Sequence, residues 1–189
     1  DGIRDIVARL VGSEMCIRDR LKACRDIAAT HEFSLDLVGD GRIGDEARDL
    51  VASEGLARLV RFRGWLREDE VRQALQESDV FVLPSRAEGL PNAMVEAMAA
   101  RVAVVITPVG AIPDVLVDRK SALLVNPGDT QGLARALAEL IDKQGLRDAL
   151  ATEAYAIANR EFSAEAAAER LDKLITSIVT NHERRQLVT

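Results

Sequence analysis

From Phe33 to Asp129 the chain alternates short apolar-rich runs with stretches whose apolar positions recur at three- and four-residue spacing. The runs fall near 33–38, 59–63, 79–83, 102–107 and 121–125, and runs of this length read as strands buried on both faces. The intervening stretches read as helices over 43–54, 68–77 and 91–100, with a short helical turn at 112–117. Strands alternating with helices predict a parallel sheet with helical crossovers, an α/β doubly wound arrangement. After Asp129 the pattern becomes wholly helical, over 131–143, 146–160 and from Ser163, a residue suited to an N-cap, to about 187. The last of these, AEAAAERLDKLI at its start, is amphipathic.

Residues 1–30 read as one further helix, the remnant of a first crossover, so the sheet is expected to lack its first strand. Ile3, Ile6, Val7 and Leu10 share a helical face. Val11–Arg20, VGSEMCIRDR, breaks that scheme. Ten residues turn a helix by about 1000 degrees, which leaves the stripe of Leu21, Cys24, Ile27 and Ala28 roughly 80 degrees out of phase, whereas excision restores it. A helix over 3–28 would be about 39 Å long against about 24 Å without those ten residues. The segment resembles translated sequencing-adapter read-through, and 11–20 is expected to be foreign, with a helix that overshoots the sheet or breaks within it. The remaining 31–189 form one domain, large enough for a sizeable core.

Composition narrows the function. The net charge is -6 and the apolar fraction 48%, values that suggest neither a nucleic-acid binder nor a disordered tail. No apolar run approaches the roughly 18 residues of a membrane span, and no signal peptide is evident, so a cytoplasmic location is expected, extending to the inner membrane surface. Cys16 and Cys24 have no partners at metal spacing, and His31 and His182 stand far apart, so no metal site is expected.

The chemistry concentrates in Pro84–Ala99, PSRAEGLPNAMVEAMA. An apolar run ends at its start, and Pro91 suits the first position of a helix, so the block reads strand, loop, helix. Glu88 then lies in a loop at the carboxyl end of a strand, and the amides of Asn92 and Ala93 open a helix that can receive an anion. Glu96 falls on the second turn. A phosphate at the helix mouth, with a carboxylate near each end of a longer ligand to accept from hydroxyl groups, describes a nucleotide-sugar site. Two further stretches are candidates. Gly39, Gly41 and Gly44 match G-x-G-x-x-G between a strand and a helix, the setting of a dinucleotide fingerprint, but the position about twenty residues on, where a ribose-binding acid is needed, holds Gly64 and Trp65. An NAD-binding oxidoreductase domain is therefore the weaker alternative. Trp65 and Leu66 follow a strand end, on the edge where open parallel sheets bind ligands.

Taken in order, VGDG at 38–41, RFRGWL at 61–66, FVLPSRAEGLPNAMVEAMA, VVITPVGAIPDVL and ALLVNPGD resemble the donor-binding C-terminal domain of the retaining family-4 glycosyltransferases. The resemblance runs from about Phe33 to the last helix. It implies one Rossmann-like half of a GT-B fold and a parent enzyme of hexosyltransferase type that transfers a sugar from a UDP- or GDP-sugar with retention of configuration, without cofactor or metal. In this family the residue matching Glu88 faces the sugar hydroxyls and is the catalytic candidate, and that matching Glu96 binds the ribose. The resemblance adds Gly89, Leu90 and Asn92 as backbone donors to sugar and phosphate, with Pro91, which has no N–H, among the donor-binding residues, Gly41 as lining the cleft, and Trp65 and Leu66 as lying beside the base. The sequence departs from the family at Gly110, Ala111, Ile112, Pro113, Asp114, where Gly-Gly and Ile-Pro-Glu are usual, and at Ala100, Arg101 and Ala103. The family's opening strand and its diphosphate-binding Arg and Lys have no counterpart, and the acceptor would be bound by a preceding domain. The chain is thus expected to be an inactive fragment, or else a nucleotide-sugar binding module without transfer activity.

Overall fold

The structure, a computed structural model, describes residues 4–9, 14–39 and 44–186. Six parallel strands form one sheet: β1 Arg4–Arg9, β2 Phe33–Val38, β3 Val60–Gly64, β4 Val80–Leu83, β5 Ala103–Ile106 and β6 Leu123–Leu124, in the order β3-β2-β1-β4-β5-β6. The helices are α1 Glu14–Ala28, α2 Gly44–Ser53, α3 Glu68–Gln76, α4 Asn92–Ala99, the single turn α5 Ile112–Val115, α6 Thr130–Asp142, α7 Gln144–Phe162 and α8 Ala164–Gln186.

Both faces of the sheet are covered, which is why β4 and β5 read as unbroken apolar runs. Val80 and Val82 face one core and Phe81 and Leu83 the other, as the two-residue period of a strand requires. On the first face lie Ile17, Leu21 and Cys24 of α1, Val51 of α2 and Leu133, Leu137 and Leu140 of α6. The second face is closed by Met94, Ala97 and Met98 of α4 and Ala154, Ile157 and Ala158 of α7.

The first strand is present, contrary to the sequence expectation. Residues 4–9 occupy the centre of the sheet, pairing with β2 from Arg4 opposite Phe33 to Arg9 opposite Val38, and with β4 at Ile6 opposite Val80 and Val7 opposite Phe81. The apolar residues Ile6, Val7 and Ala8 fit a helical stripe and a doubly buried strand equally well, because a run so short carries no decisive period. Burial decides it: Ile6 and Ala8 enter one core and Val7 the other. The helix that follows is a separate element beginning at Glu14, so no helix overshoots the sheet from residue 3, and none breaks among the described residues 14–20. Three smaller expectations also shift. Pro91 is the N-cap of α4, with φ -74 and ψ 121, rather than its first helical residue. The strand expected at 121–125 is confined to Leu123–Leu124, and the break between the helices after Asp129 falls at Lys143. Ser163 does cap α8, its Oγ accepting from the Ala166 amide at 3.1 Å.

Polar side chains on β2 and β3 are accounted for by pairing. Buried Asp36 accepts from Arg63 at 3.1 Å, and Arg61 Nη2 reaches Asp5 at 2.8 Å and Ser34 at 2.9 Å.

Candidate functional site

In an order 3-2-1-4-5-6 the connections run to opposite sides of the sheet at β1 and β4, and the carboxyl ends of those strands frame a crevice. The Pro84–Ala99 block starts at the end of β4. Pro84 and Ser85 are still buried, and the chain then emerges, with Arg86 and Ala87 exposed, Glu88 half-buried and Gly89 and Leu90 exposed, before α4 begins. The first bonds of the helix run from the Met94 and Val95 amides to the Pro91 carbonyl, at 3.0 and 3.4 Å, so the Asn92 and Ala93 amides precede them at the helix mouth. Nothing lies within 4 Å of the space a Cβ would take at Gly89, which leaves room for a ligand to approach the backbone there.

Glu96 is exposed on the second turn of α4. It lines a groove of about 600 Å³ between α3 and α4, together with Trp65, Leu66, Val71, Leu75 and Ala100. It also borders a small apolar recess against Ala8 of β1, Val38 of β2 and Phe81 of β4, while the groove itself runs from Trp65, just after β3, along α3 and α4 to Gln76 and Ala100 at their C-terminal ends. Trp65, at 71% exposure, is an uncovered aromatic wall rather than an edge packed into the domain. Leu66 is half-buried against the α4 core. The groove is mostly apolar, with Glu68, Arg72, Gln76 and Glu96 as its polar groups, the composition of a site that encloses a flat organic ring and fixes its polar ends. Arg72 is already engaged by Glu68 at 3.3 Å.

Glu88 does not line this groove. Its loop leans instead on the segment after β5, where the Ala111 amide donates to the Gly89 carbonyl at 3.0 Å and the Thr107 hydroxyl donates to the Ser85 carbonyl. The two carboxylates thus belong to the same strand-loop-helix unit but to different neighbourhoods, Glu96 toward α3 and Glu88 toward the β5 loop. Gly41 lies outside the described residues. The Gly39 to Gly44 match follows β2 in the chain, whereas a dinucleotide fingerprint belongs after the first strand, here β1. That removes the main structural support for the oxidoreductase alternative. Among the described residues no group of three or more His, Cys, Asp or Glu could hold a metal ion, and no helix is long and apolar enough to cross a membrane.

Val71 and Leu75 on α3 and Ala100 at the end of α4 were not legible as site residues. Their signal in sequence was that of ordinary core positions on amphipathic helices. The cation nearest the loop in sequence, Arg86, is paired with Asp19 of α1 at 3.1 Å and lies over Gly128.

The family described as glycosyl transferases group 1 matches this chain over residues 6–143. The lipopolysaccharide core biosynthesis glycosyltransferase LpsE of Rhizobium meliloti is 33% identical over 141 residues, which are 75% of this chain and 41% of that protein. The chain therefore spans less than half the length of that relative. Among solved structures, the C-terminal domain of a glycosyl transferase group 1 family protein, LpcC, from Francisella tularensis superposes with a TM-score of 0.76 at 24% identity, covering 85% of this chain and 87% of that one. Anabaena Alr3699/HepE in complex with UDP-glucose gives a TM-score of 0.78 at 20% identity over 92% of this chain and 49% of that one. At these identities the superpositions establish the fold, that of one half of a GT-B enzyme. The family match spans the sheet and the whole Pro84–Ala99 block, and the chain accordingly belongs to the group 1 glycosyltransferases.

Proposed function

We propose that this chain is the donor-binding part of a retaining, family-4 type glycosyltransferase acting on a UDP- or GDP-hexose. The observation that carries the proposal is the groove beside α4, where Glu96 on the second turn stands with an exposed aromatic wall, Trp65, that follows the end of β3. Here the base lies against Trp65 and Leu66, and Glu96 accepts from the ribose hydroxyls. The diphosphate meets the amides of Asn92 and Ala93 at the helix mouth, and the sugar extends past the amides of Gly89 and Leu90 toward Glu88. The binding of UDP-glucose by HepE, a protein of the same fold, fits a nucleotide-sugar donor.

Departure of the diphosphate concentrates negative charge, which a helix N-terminus stabilises. The acceptor hydroxyl attacks C1 on the face the diphosphate leaves, through an oxocarbenium-like state. The C1–O bond to phosphate breaks, the new C1–O bond forms, and the acceptor proton passes to the departing phosphate oxygen. Glu88 orients the sugar, and the acceptor is held by a part of the enzyme beyond this domain. The proposed location is the cytoplasm, at the inner face of the membrane where the acceptor is membrane-bound.

Glu96→Gln tests the assignment. A charge-assisted hydrogen bond contributes about 1.5 to 3 kcal/mol, so the substitution should weaken UDP or GDP binding at least tenfold by calorimetry. Equal affinity in variant and parent would remove Glu96 from the site. Because the chain covers 41% of LpsE, we propose that alone it binds donor without transferring sugar; transfer by the purified chain would overturn that part.

A further inference from the structure

The loop that carries Glu88 is shaped by a second loop, Thr107–Ala111, which leaves the end of β5 and enters α5. Gly110 is the point of closest approach. Its φ is +60°, and a side-chain carbon there would lie 2.5 Å from the Gly89 carbonyl oxygen, 2.9 Å from the Glu88 carbonyl carbon and closer still to the Glu88 carbonyl oxygen. These are backbone atoms, so no side-chain rotation can relieve the overlap, and the Glu88–Gly89 peptide must move. Two hydrogen bonds fix the same juxtaposition on either side: Ala111 N–H to the Gly89 carbonyl at 3.0 Å, and the Thr107 hydroxyl to the Ser85 carbonyl. Thr107 and Ser85 are both buried. The Glu88 segment is therefore pinned at Ser85, at Glu88 itself and at Gly89 by one neighbouring loop.

We infer that the β5 loop is the positioning element for Glu88 and that Gly110 is the residue on which the fit depends. The inference rests on reading Glu88 as the carboxylate that faces the donor sugar. Gly110 touches no substrate; it acts by setting where the Glu88 backbone sits. The consequence is a separation of effects: disturbing the β5 loop should alter recognition of the sugar while leaving the nucleotide, held beside α4 and α3, largely untouched.

The test compares Gly110→Ala and Thr107→Val with Glu88→Gln in the full 189-residue chain. Gly55→Ala is the control: Gly55 has a similar φ of +72° but nothing within 4 Å of its Cβ position, so it carries the backbone penalty without the overlap. Affinities for UDP and UDP-glucose are measured by calorimetry, with GDP and GDP-mannose in parallel, and amide exchange is followed at Ser85–Ala111. Gly110→Ala should lower affinity for the nucleotide sugar fivefold or more while changing that for the free nucleotide less than twofold, matching Glu88→Gln. Thr107→Val should do the same to a smaller extent, and it answers the question if Gly110→Ala does not fold. Gly55→Ala should match the parent. Exchange at Ala111 should accelerate in both loop variants. The inference is overturned if both loop variants keep the parent's sugar preference and loop protection. If Glu88→Gln keeps that preference, or the parent binds no nucleotide, the reading of the site has failed instead. Amide exchange then still decides whether Gly110 and Thr107 hold the loop.

Discussion

Glu139 on α6 sits between two cations. Both Nη atoms of Arg119 donate to its carboxylate, at 2.8 and 3.0 Å, and Lys143 Nζ, one helical turn on, donates at 3.0 Å. Hydrogen bonding by Arg119 first, then by Lys143, holds the Glu139 carboxyl down at about 2. A group whose pKa is lower in the folded chain adds stability above its unfolded value, about 4.3, and loses that contribution as pH falls toward the folded value. Glu139→Gln should therefore lower the urea midpoint at pH 7, with the difference fading below about pH 4 and gone near pH 2. Since Arg119 is 56% exposed, the effect should be no more than about 1 kcal/mol and should shrink in salt; a pH-independent difference would refute the assignment. At this scale the site was legible as far as chemistry-bearing types in a local pattern allow. Glu88 and Glu96 stand in one contiguous block whose loop and helix follow from Pro91 and the apolar run before it. The hold of Gly110 on Glu88 was not legible, because it depends on two loops meeting that lie 22 residues apart in the chain.

Between elements, two buried arginines make a controlled comparison. Arg147 at the start of α7 is 4% exposed; it donates to the carbonyls of Leu140 and Ile141, the latter at 3.1 Å, and so closes the C-terminal end of α6. Arg20 on α1 is fully buried between Cys16 and Cys24, and none of its three guanidinium nitrogens has a hydrogen-bond partner. Burial lowers Arg20 to about 10 and pushes the Cys24 thiol up to about 12. The same replacement should act with opposite sign. Arg147→Met should cost roughly 1 to 3 kcal/mol by orphaning two carbonyls, while Arg20→Met should stabilise by about 1 kcal/mol or more by removing an unpaired buried charge. Chemical denaturation of the two variants checks this, and destabilisation by Arg20→Met would overturn it. Arg20 closes the stretch 11–20 that the sequence reading set apart; with 4–9 in a strand there is no helix over 3–28 for that stretch to throw out of phase, and Cys16 and Ile17 within it are buried. The elements from Phe33 to Ser163 were legible because the strands are short apolar-rich runs bounded by turn residues, unbroken in β4 and β5 and interrupted by Ser34, Asp36, Arg61 and Arg63 in β2 and β3. β1 was not, since Ile6, Val7 and Ala8 satisfy either period and only the vacancy between β2 and β4 selects the strand.

For the molecule as a whole, the two cores close at different times. β1, α1 and β2 are consecutive in the chain, yet the face they bury against is completed by α6, whose Leu133, Leu137 and Leu140 come about a hundred residues later, roughly 5 to 20 seconds of synthesis at ordinary elongation rates. Until then Ile17, Leu21 and Leu35 have an incomplete cover. By contrast α8 covers nothing essential: its described side chains carry no buried residue, and Leu171, Leu174, Ile175 and Ile178 are each more than half exposed. A chain ending at Phe162 should therefore unfold with the cooperativity and midpoint of the full chain, whereas one ending at Asp129 should precipitate or require a chaperone to remain in solution. Sedimentation and thermal melts of the two truncations separate these outcomes, and a soluble, cooperatively folded 129-residue product would show that α6 is dispensable. The packing of α6 on α1 thus makes birth order a hazard: the nascent chain carries an open apolar face from the appearance of β1 until α6 follows, and the step that ends its need for protection is the emergence of one late helix.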